Sequence, residues 1–147
     1  MSCSFCELLS EKNNHTLIYK LNYGNLYLNC NQVFRGRVMY VYKNHVQDMA
    51  EIGLPELLHI DAEMLSIIKA IKRIFNADLI NVASLGNQVQ HLHWHIIPRY
   101  KDDPNWGNPP WPHGQKVLDE RELQSMCDDI REKLRNDRDF SALNIDS

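Results

Sequence analysis

No run of apolar residues approaches the ~18 that a membrane-spanning helix needs, so no membrane segment is expected. The first residues, Met1-Ser2-Cys3-Ser4-Phe5-Cys6, have neither the basic nor the apolar region of a secretory signal. There is no surplus of positive charge. Sixteen Lys+Arg against nineteen Asp+Glu give a net charge of −3, which provides no general basic surface for nucleic acid. The sequence also lacks internal repeats and low-complexity stretches. A cytoplasmic location is expected, and there the four cysteines read as thiols or metal ligands rather than disulfides. What is present is 147 residues, 44% hydrophobic and 24% charged. That suits a single globular domain, residues 1–147, with enough chain to bury a core. Seven histidines stand out, and three of them fall within five residues.

After an N-terminal segment, 1–15, that carries a Cys-x-x-Cys pair, short β-branched and aromatic stretches predict a hairpin. Its strands are 16–21 and 26–30, around Asn22-Tyr23-Gly24-Asn25. A third strand is expected at 37–42, with Val38, Tyr40 and Tyr42 on one face. Leu57, Ile60, Met64, Ile67, Ile68, Ile71 and Phe75 recur at helical spacing and predict the main helix over 55–75, with Pro55 in its first turn. Strands follow at 79–83 and 89–97. Residues 99–115, with Pro104, Pro109, Pro110 and Pro112 and with Trp106 and Trp111, predict an irregular loop. Asp119 and Glu122 form a capping-box pattern ahead of a second helix striped by Leu123, Met126, Cys127, Ile130 and Leu134. The polar tail, 137–147, is expected to fray. Short connections favour antiparallel pairing, so the order predicts an α+β domain: an antiparallel sheet of about five strands, one main helix and a C-terminal helix.

Gln90-His91-Leu92-His93-Trp94-His95-Ile96-Ile97-Pro98 alternates strictly. On a strand, His91, His93 and His95 project from one face while Leu92, Trp94 and Ile96 enter a core. Three readings are open at this point. The first takes the rings as satisfied surface histidines. The second has them ligate a catalytic metal, since imidazole suits zinc. In the third, one imidazole attacks phosphorus while the others position it and the charged oxygens.

The stretch His-Leu-His-Trp-His-Ile-Ile resembles the His-φ-His-φ-His-φ-φ pattern, with φ apolar, of the histidine triad (HIT) family. Its lead-in, Gly86-Asn87-Gln88-Val89, and its exit, Pro98-Arg99, resemble those of the family as well. Asn-Val-Ala-x-Leu-Gly-Asn-x-Val, with Arg-Tyr-Lys-Asp-Asp-Pro-Asn-Trp beyond the triad, is similar to a bacterial diadenosine tetraphosphate hydrolase-like branch. The resemblance implies a HIT-like fold, a homodimer and a nucleotide substrate. It implies hydrolysis or transfer at the α-phosphate of a nucleotide conjugate. Dinucleoside polyphosphates such as diadenosine tetraphosphate lead, with nucleoside phosphoramidates second. His93 would be the nucleophile that forms a covalent nucleotidyl-histidine, and His95 would contact phosphate oxygen and help the leaving group. Asn81, Gly86, Asn87 and Gln88 would supply phosphate donors, and Asn29 would face the ribose. Gln88 and Asn87 depart from the family's usual residues there, and Arg37 stands where a fourth histidine is common. Two rivals remain: a nucleotide-binding sensor or partner protein with little turnover, and a metal-dependent hydrolase using His91, His93 and His95 as ligands.

Cys3-Ser4-Phe5-Cys6 alone fits either redox chemistry or metal, and no thioredoxin-like context follows it. The resemblance implies a structural zinc held by Cys3, Cys6, His45 and His91, closed to water. No organic cofactor is expected. Cys30 and Cys127 read as small buried hydrophobes. His15, His59 and His113 read as exposed or loop residues without partners, and Asp102 and Asp103 as solvated. Trp106 and Trp111 either wall the base pocket, cover a partner subunit or anchor their loop.

Overall fold

The computed structural model describes residues 2–143 and 145. Five strands, β1 Leu17–Lys20, β2 Gly24–Leu28, β3 Val38–Tyr42, β4 Leu79–Ala83 and β5 His93–Arg99, form one antiparallel sheet in the order β1-β2-β3-β5-β4. The helices are α1 Ser4–Ser10, α2 Leu54–Ile74, α3 Glu120–Arg135 and α4 Arg138–Ser141, with a 3-10 turn at Met49–Glu51. Among the described residues no helix is long and apolar enough to cross a membrane.

The period of two in β3 and β5 divides the sheet. Register pairs Leu26 with Tyr40, Tyr40 with Trp94 and Val38 with Ile96. These side chains pack on the Ile60, Met64, Ile67 and Ile71 stripe of α2, and Leu123, Cys127, Ile130 and Leu134 of α3 complete the core. Fully burying each such side chain contributes about 1.5–3 kcal/mol. Met39, Val41, His93 and His95 occupy the opposite face. The core therefore fixes which way the histidines point, because a slip of one residue would exchange the faces.

Gly24 lies within β2, not in the turn expected from Asn22-Tyr23-Gly24-Asn25. A Cβ there would come 2.6 Å from Val41 O and 2.7 Å from the Tyr40 ring. Glu63, 5% exposed on α2, anchors the turn before it. Its carboxylate accepts from Tyr40 Oη at 2.6 Å, Asn22 N at 2.9 Å and Tyr23 N at 3.1 Å. At one sheet edge, Arg131 of α3 donates to the β1 carbonyls of Ile18 and Leu17 at 2.9 and 2.7 Å. At the other, β4 leaves Leu79 and Val82 exposed.

Several expectations need correction. The triad strand begins at His93 rather than residue 89. β4 ends at Ala83, opposite His95, and β3 ends at Tyr42, so the ladder has no continuous partner beyond that point. Over 137–143 the tail does not fray; residues 144, 146 and 147 lie outside the described residues. Asp137 caps α4, Phe140 is buried with its ring 5.0 Å from that of Tyr19, and Arg73 pairs with Asp137 at 2.8 Å. Cys30 is exposed, whereas Cys127 is buried as expected. Asp103 is not solvated: its side chain is 3% exposed and pairs with Arg99 at 2.8 Å. The capping box of α3 forms as the sequence predicts.

Candidate active site

β5 brings His93 and His95 to the same face, with ring centroids 5.1 Å apart. His93 Nδ1 lies 2.6 Å from the His91 carbonyl, 6% of the residue being exposed. A carbonyl only accepts, so Nδ1 carries the proton and Nε2 holds the lone pair. Ser84 Oγ donates to the His93 carbonyl at 2.7 Å and steadies the same residue from the β4–β5 loop. Burial holds the His93 imidazole below its ordinary range, against the opposing effect of the His91 carbonyl. At neutral pH the ring is therefore uncharged, with the Nε2 lone pair unprotonated.

The two rings open into a cavity of about 410 Å³. Phe5 of α1 and Met39 of β3 wall it beside the triad, with the Phe5 ring 4.7 Å from His93 and edge-on. Gly86, Asn87 and Gln88 form its loop side, with Gly86 at φ +63, and Asn29 and Trp111 lie on the remaining sides. Trp111, from the Pro-rich loop, packs edge-on to His95 at 5.4 Å, whereas Trp106 is exposed. Among the described residues no Asp or Glu lines the cavity.

One cation does. Arg37, 5% exposed, precedes β3 and lines the cavity. It donates to His95 Nδ1 at 3.3 Å and His113 Nε2 at 3.0 Å, and lies over the Trp111 ring at 5.4 Å. His113, expected to have no partner, is thus part of the site; it donates from Nδ1 to the Gly114 carbonyl at 2.7 Å, which leaves Nε2 free to accept. Guanidinium only donates, so His95 Nδ1 is also an acceptor and His95 Nε2 carries the proton. Burial first, then Arg37, pushes the His95 pKa down to about 4.

Of the residues singled out in the sequence, Asn29, Gly86, Asn87, Gln88, His93 and His95 meet at this cavity. Asn81 stands apart from its lining. It pairs with Ile97 in β4, two residues beyond the pair of Ala83 with His95, and its amide oxygen accepts from Arg99 at 2.8 Å. Phe5, Met39, Trp111 and His113 were not selected as site residues. Phe5 sits between two cysteines, which gave it a place in the sequence but no visible direction.

A second cluster adjoins the first. Cys3, Cys6, His45 and His91 place one ligand atom each within 4.8 Å of one another. Cys3 Sγ and Cys6 Sγ lie 3.4 and 3.5 Å from His91 Nδ1; Cys6 Sγ lies 3.4 Å from His45 Nδ1, and the two Nδ1 atoms are 3.3 Å apart. A tetrahedral ion at about 2.3 Å from sulfur and about 2.0 Å from nitrogen separates its ligands by roughly 3.3–3.8 Å, so the four fit zinc. His91 Nε2–H donates to the Tyr42 carbonyl at 2.8 Å, which turns the Nδ1 lone pair toward the cluster.

Three alternating histidines, His91 just ahead of β5 and His93 and His95 on it, set against an apolar opposite face of a five-stranded sheet, define a histidine triad protein. The chain belongs to the HIT domain family, whose model matches residues 10–102. It is 34% identical over 91 residues to a bis(5'-adenosyl)-triphosphatase of Saccharomyces cerevisiae; the match covers 58% of this chain and 44% of the yeast protein. A histidine triad nucleotide-binding protein of Sulfolobus tokodaii has the same fold, with a TM-score of 0.74 at 22% identity over 91% of this chain and 93% of that one. A zinc-bound histidine triad family protein of Mycobacterium smegmatis superposes with a TM-score of 0.69 at 22% identity, covering 92% and 96%.

Proposed function

We propose that this protein hydrolyses or transfers at the α-phosphate of nucleotide conjugates through a covalent intermediate on His93. The observation that carries the reading is the His93 tautomer: Nδ1–H is tied to the His91 carbonyl at 2.6 Å, and Nε2 is left as a neutral nucleophile at a cavity without carboxylates. Its lone pair forms a bond to the α-phosphorus, and the bond from phosphorus to the leaving group breaks. His95, through Nε2–H, donates to a phosphate oxygen as charge builds up. Water then attacks the same phosphorus, the P–N electrons return to His93 and a proton passes to solvent. Gly86, Asn87 and Gln88 donate to the phosphates and Asn29 faces the ribose, while Asn81, outside the cavity lining and bound to Arg99, takes no part in holding the substrate.

Dinucleoside polyphosphates are the favoured substrates, in keeping with the yeast triphosphatase, and nucleoside phosphoramidates are second. Cys3, Cys6, His45 and His91 hold a structural zinc, which would pin the chain just ahead of the nucleophile and supply no chemistry to the substrate. Leu54, Leu58 and Leu65 lie exposed on one face of α2, and Leu79 and Val82 on the β4 edge; a second copy of the chain covers them in a homodimer. A metal-dependent hydrolase using the triad as ligands is disfavoured, because His91 Nδ1 faces the cysteines and His93 Nδ1 is taken by a carbonyl.

The test is mass spectrometry of wild type and His93→Ala incubated with diadenosine tri- and tetraphosphate and with adenosine 5'-phosphoramidate. A nucleoside monophosphate adduct on wild type alone, with product release, is the expected result. Product from His93→Ala at the wild-type rate refutes the nucleophile. Binding without adduct or product favours the sensor reading.

A further inference from the structure

We infer that Arg37 selects the leaving group, by clamping the phosphate next to the one transferred, so that the site prefers conjugates whose leaving group departs as a phosphate anion. This rests on the proposed transfer to His93. The chain shows how it treats a buried arginine when only structure is at stake. Arg99, 2% exposed, is neutralised by Asp103 at 2.8 Å and also reaches Asn81 and the Asn108 carbonyl. Arg37, 5% exposed, pairs with no carboxylate among the described residues. Its terminal nitrogens rest on His113 Nε2 and His95 Nδ1, and its Nε is buried without a partner among the described residues. An un-neutralised cation is costly in such surroundings, and here it faces a cavity with no acidic residue. A group that carries the missing negative charge is its complement.

The position is built. Gln32, 4% exposed, donates to the Asn29 and Arg37 carbonyls at 2.7 and 3.0 Å and accepts from Gly36 N at 2.8 Å. Gly36 adopts φ +90, and a Cβ there would come 2.6 Å from the Phe75 ring. The turn that delivers Arg37 is thus held from both sides, and so is Asn29 beside it, whose backbone N–H donates to the Arg37 carbonyl at 3.1 Å. In the β3–β5 register Val41 pairs with His93 and Met39 with His95, so Arg37, two residues before Met39, lies past His95 on the side away from His93; a phosphate next to one held at His93 and His95 would meet it there.

Its contact with His95 also decides the chemistry of departure. Arg37 occupies the His95 Nδ1 lone pair, and a cation beside the ring opposes a second proton there. His95 therefore offers a hydrogen bond through Nε2–H but holds no spare proton to give at neutral pH. An amine leaving group needs that proton. A phosphate does not: the bond from the α-phosphorus to the bridging oxygen breaks, its electron pair stays on that oxygen, and the charge is met by Arg37 and His95 Nε2–H while the His93–phosphorus bond forms.

The experiment compares wild type, Arg37→Gln and Arg37→Lys on diadenosine tetraphosphate and adenosine 5'-phosphoramidate, with zinc-loaded protein. Arg37→Gln is expected to lower kcat/KM on the tetraphosphate by about 10²-fold, and by at least about tenfold more than on the phosphoramidate. Arg37→Lys should fall between, since it keeps the charge and loses the fork. Removing an un-neutralised buried cation should leave Tm unchanged or raised; a structural arginine would lower it. Equal losses on both substrates overturn the inference and leave Arg37 as a positioning residue for His95. In parallel, calorimetry in the His93→Ala background measures tetraphosphate and AMP binding with and without Arg37→Gln. Arg37-dependent tetraphosphate binding without turnover in wild type supports the clamp and sinks nucleotidyl transfer. Turnover with an Arg37-independent substrate ratio does the reverse. Neither turnover nor Arg37-dependent binding overturns both.

Discussion

Replacing Cys6 with alanine removes one of four ligand atoms that lie 3.3–3.5 Å apart where contacts are resolved, spacing that suits a tetrahedral ion. Wild type is expected to carry one zinc per chain by elemental analysis, and the variant none. Zinc held at about 100 times its dissociation constant stabilises the fold by about 2.7 kcal/mol. For a chain of this length each kcal/mol moves Tm by roughly 3 °C, so the loss should be about 8 °C. The effect should reach catalysis without any metal step. His91 accepts from His93 Nδ1, and Phe5, one residue from Cys6, lies 4.7 Å from the His93 ring. An activity loss of about tenfold or more follows from disturbing that support. Cys30→Ser, at an exposed thiol outside the cluster, is the control. Zinc content unchanged in Cys6→Ala would refute the assignment, and lost zinc with unaltered Tm and activity would refute the coupling.

Glu63→Gln weakens the anchor that receives Tyr40 Oη and two backbone donors, and should cost about 2–3 kcal/mol in urea unfolding; a cost under about 0.5 kcal/mol would show that the buried carboxylate is not what holds the turn. His95 is displaced from its ordinary value to about 4, so the unfolded chain binds a proton between pH 6.5 and 4 that the folded chain refuses. Stability from this group is complete above pH 6.5 and lost as pH falls toward 4, by about 3 kcal/mol; denaturation of wild type and His95→Asn across that window should show the slope shrinking in the variant, and an equal slope would contradict it. Leu58→Glu places charge on the exposed stripe of α2 and should shift sedimentation from dimer to monomer; a wild type that sediments as a monomer would remove the basis for the homodimer.

The main helix was legible because its stripe is long and periodic: the expected 55–75 became Leu54–Ile74. The α3 cap was legible because a capping box is local chemistry. The direction of His93 and His95 was legible because Leu92, Trp94 and Ile96 could belong only to a core. The short N-terminal helix carries no comparable periodicity, and α4 depends on contacts of Phe140 and Asp137 with residues far away in the chain. Asp103 looked solvated because its partner's burial is invisible locally, and Cys30 looked buried because cysteine often is.

What the sequence determined by itself was the alternation of three histidines, the spacing of two cysteines and the presence of His45, since side-chain period and residue type are local properties. What only tertiary structure decided was their division of labour. Sheet register set Met39 against His95 and carried Asn81 away from the cavity. Packing of α1 brought Phe5 to His93, and folding of the Pro-rich loop brought Trp111 and His113 onto Arg37. Arg99 meets its carboxylate four residues along the chain, but Arg37 meets its partners 58 and 76 residues away, and no local pattern encodes those contacts.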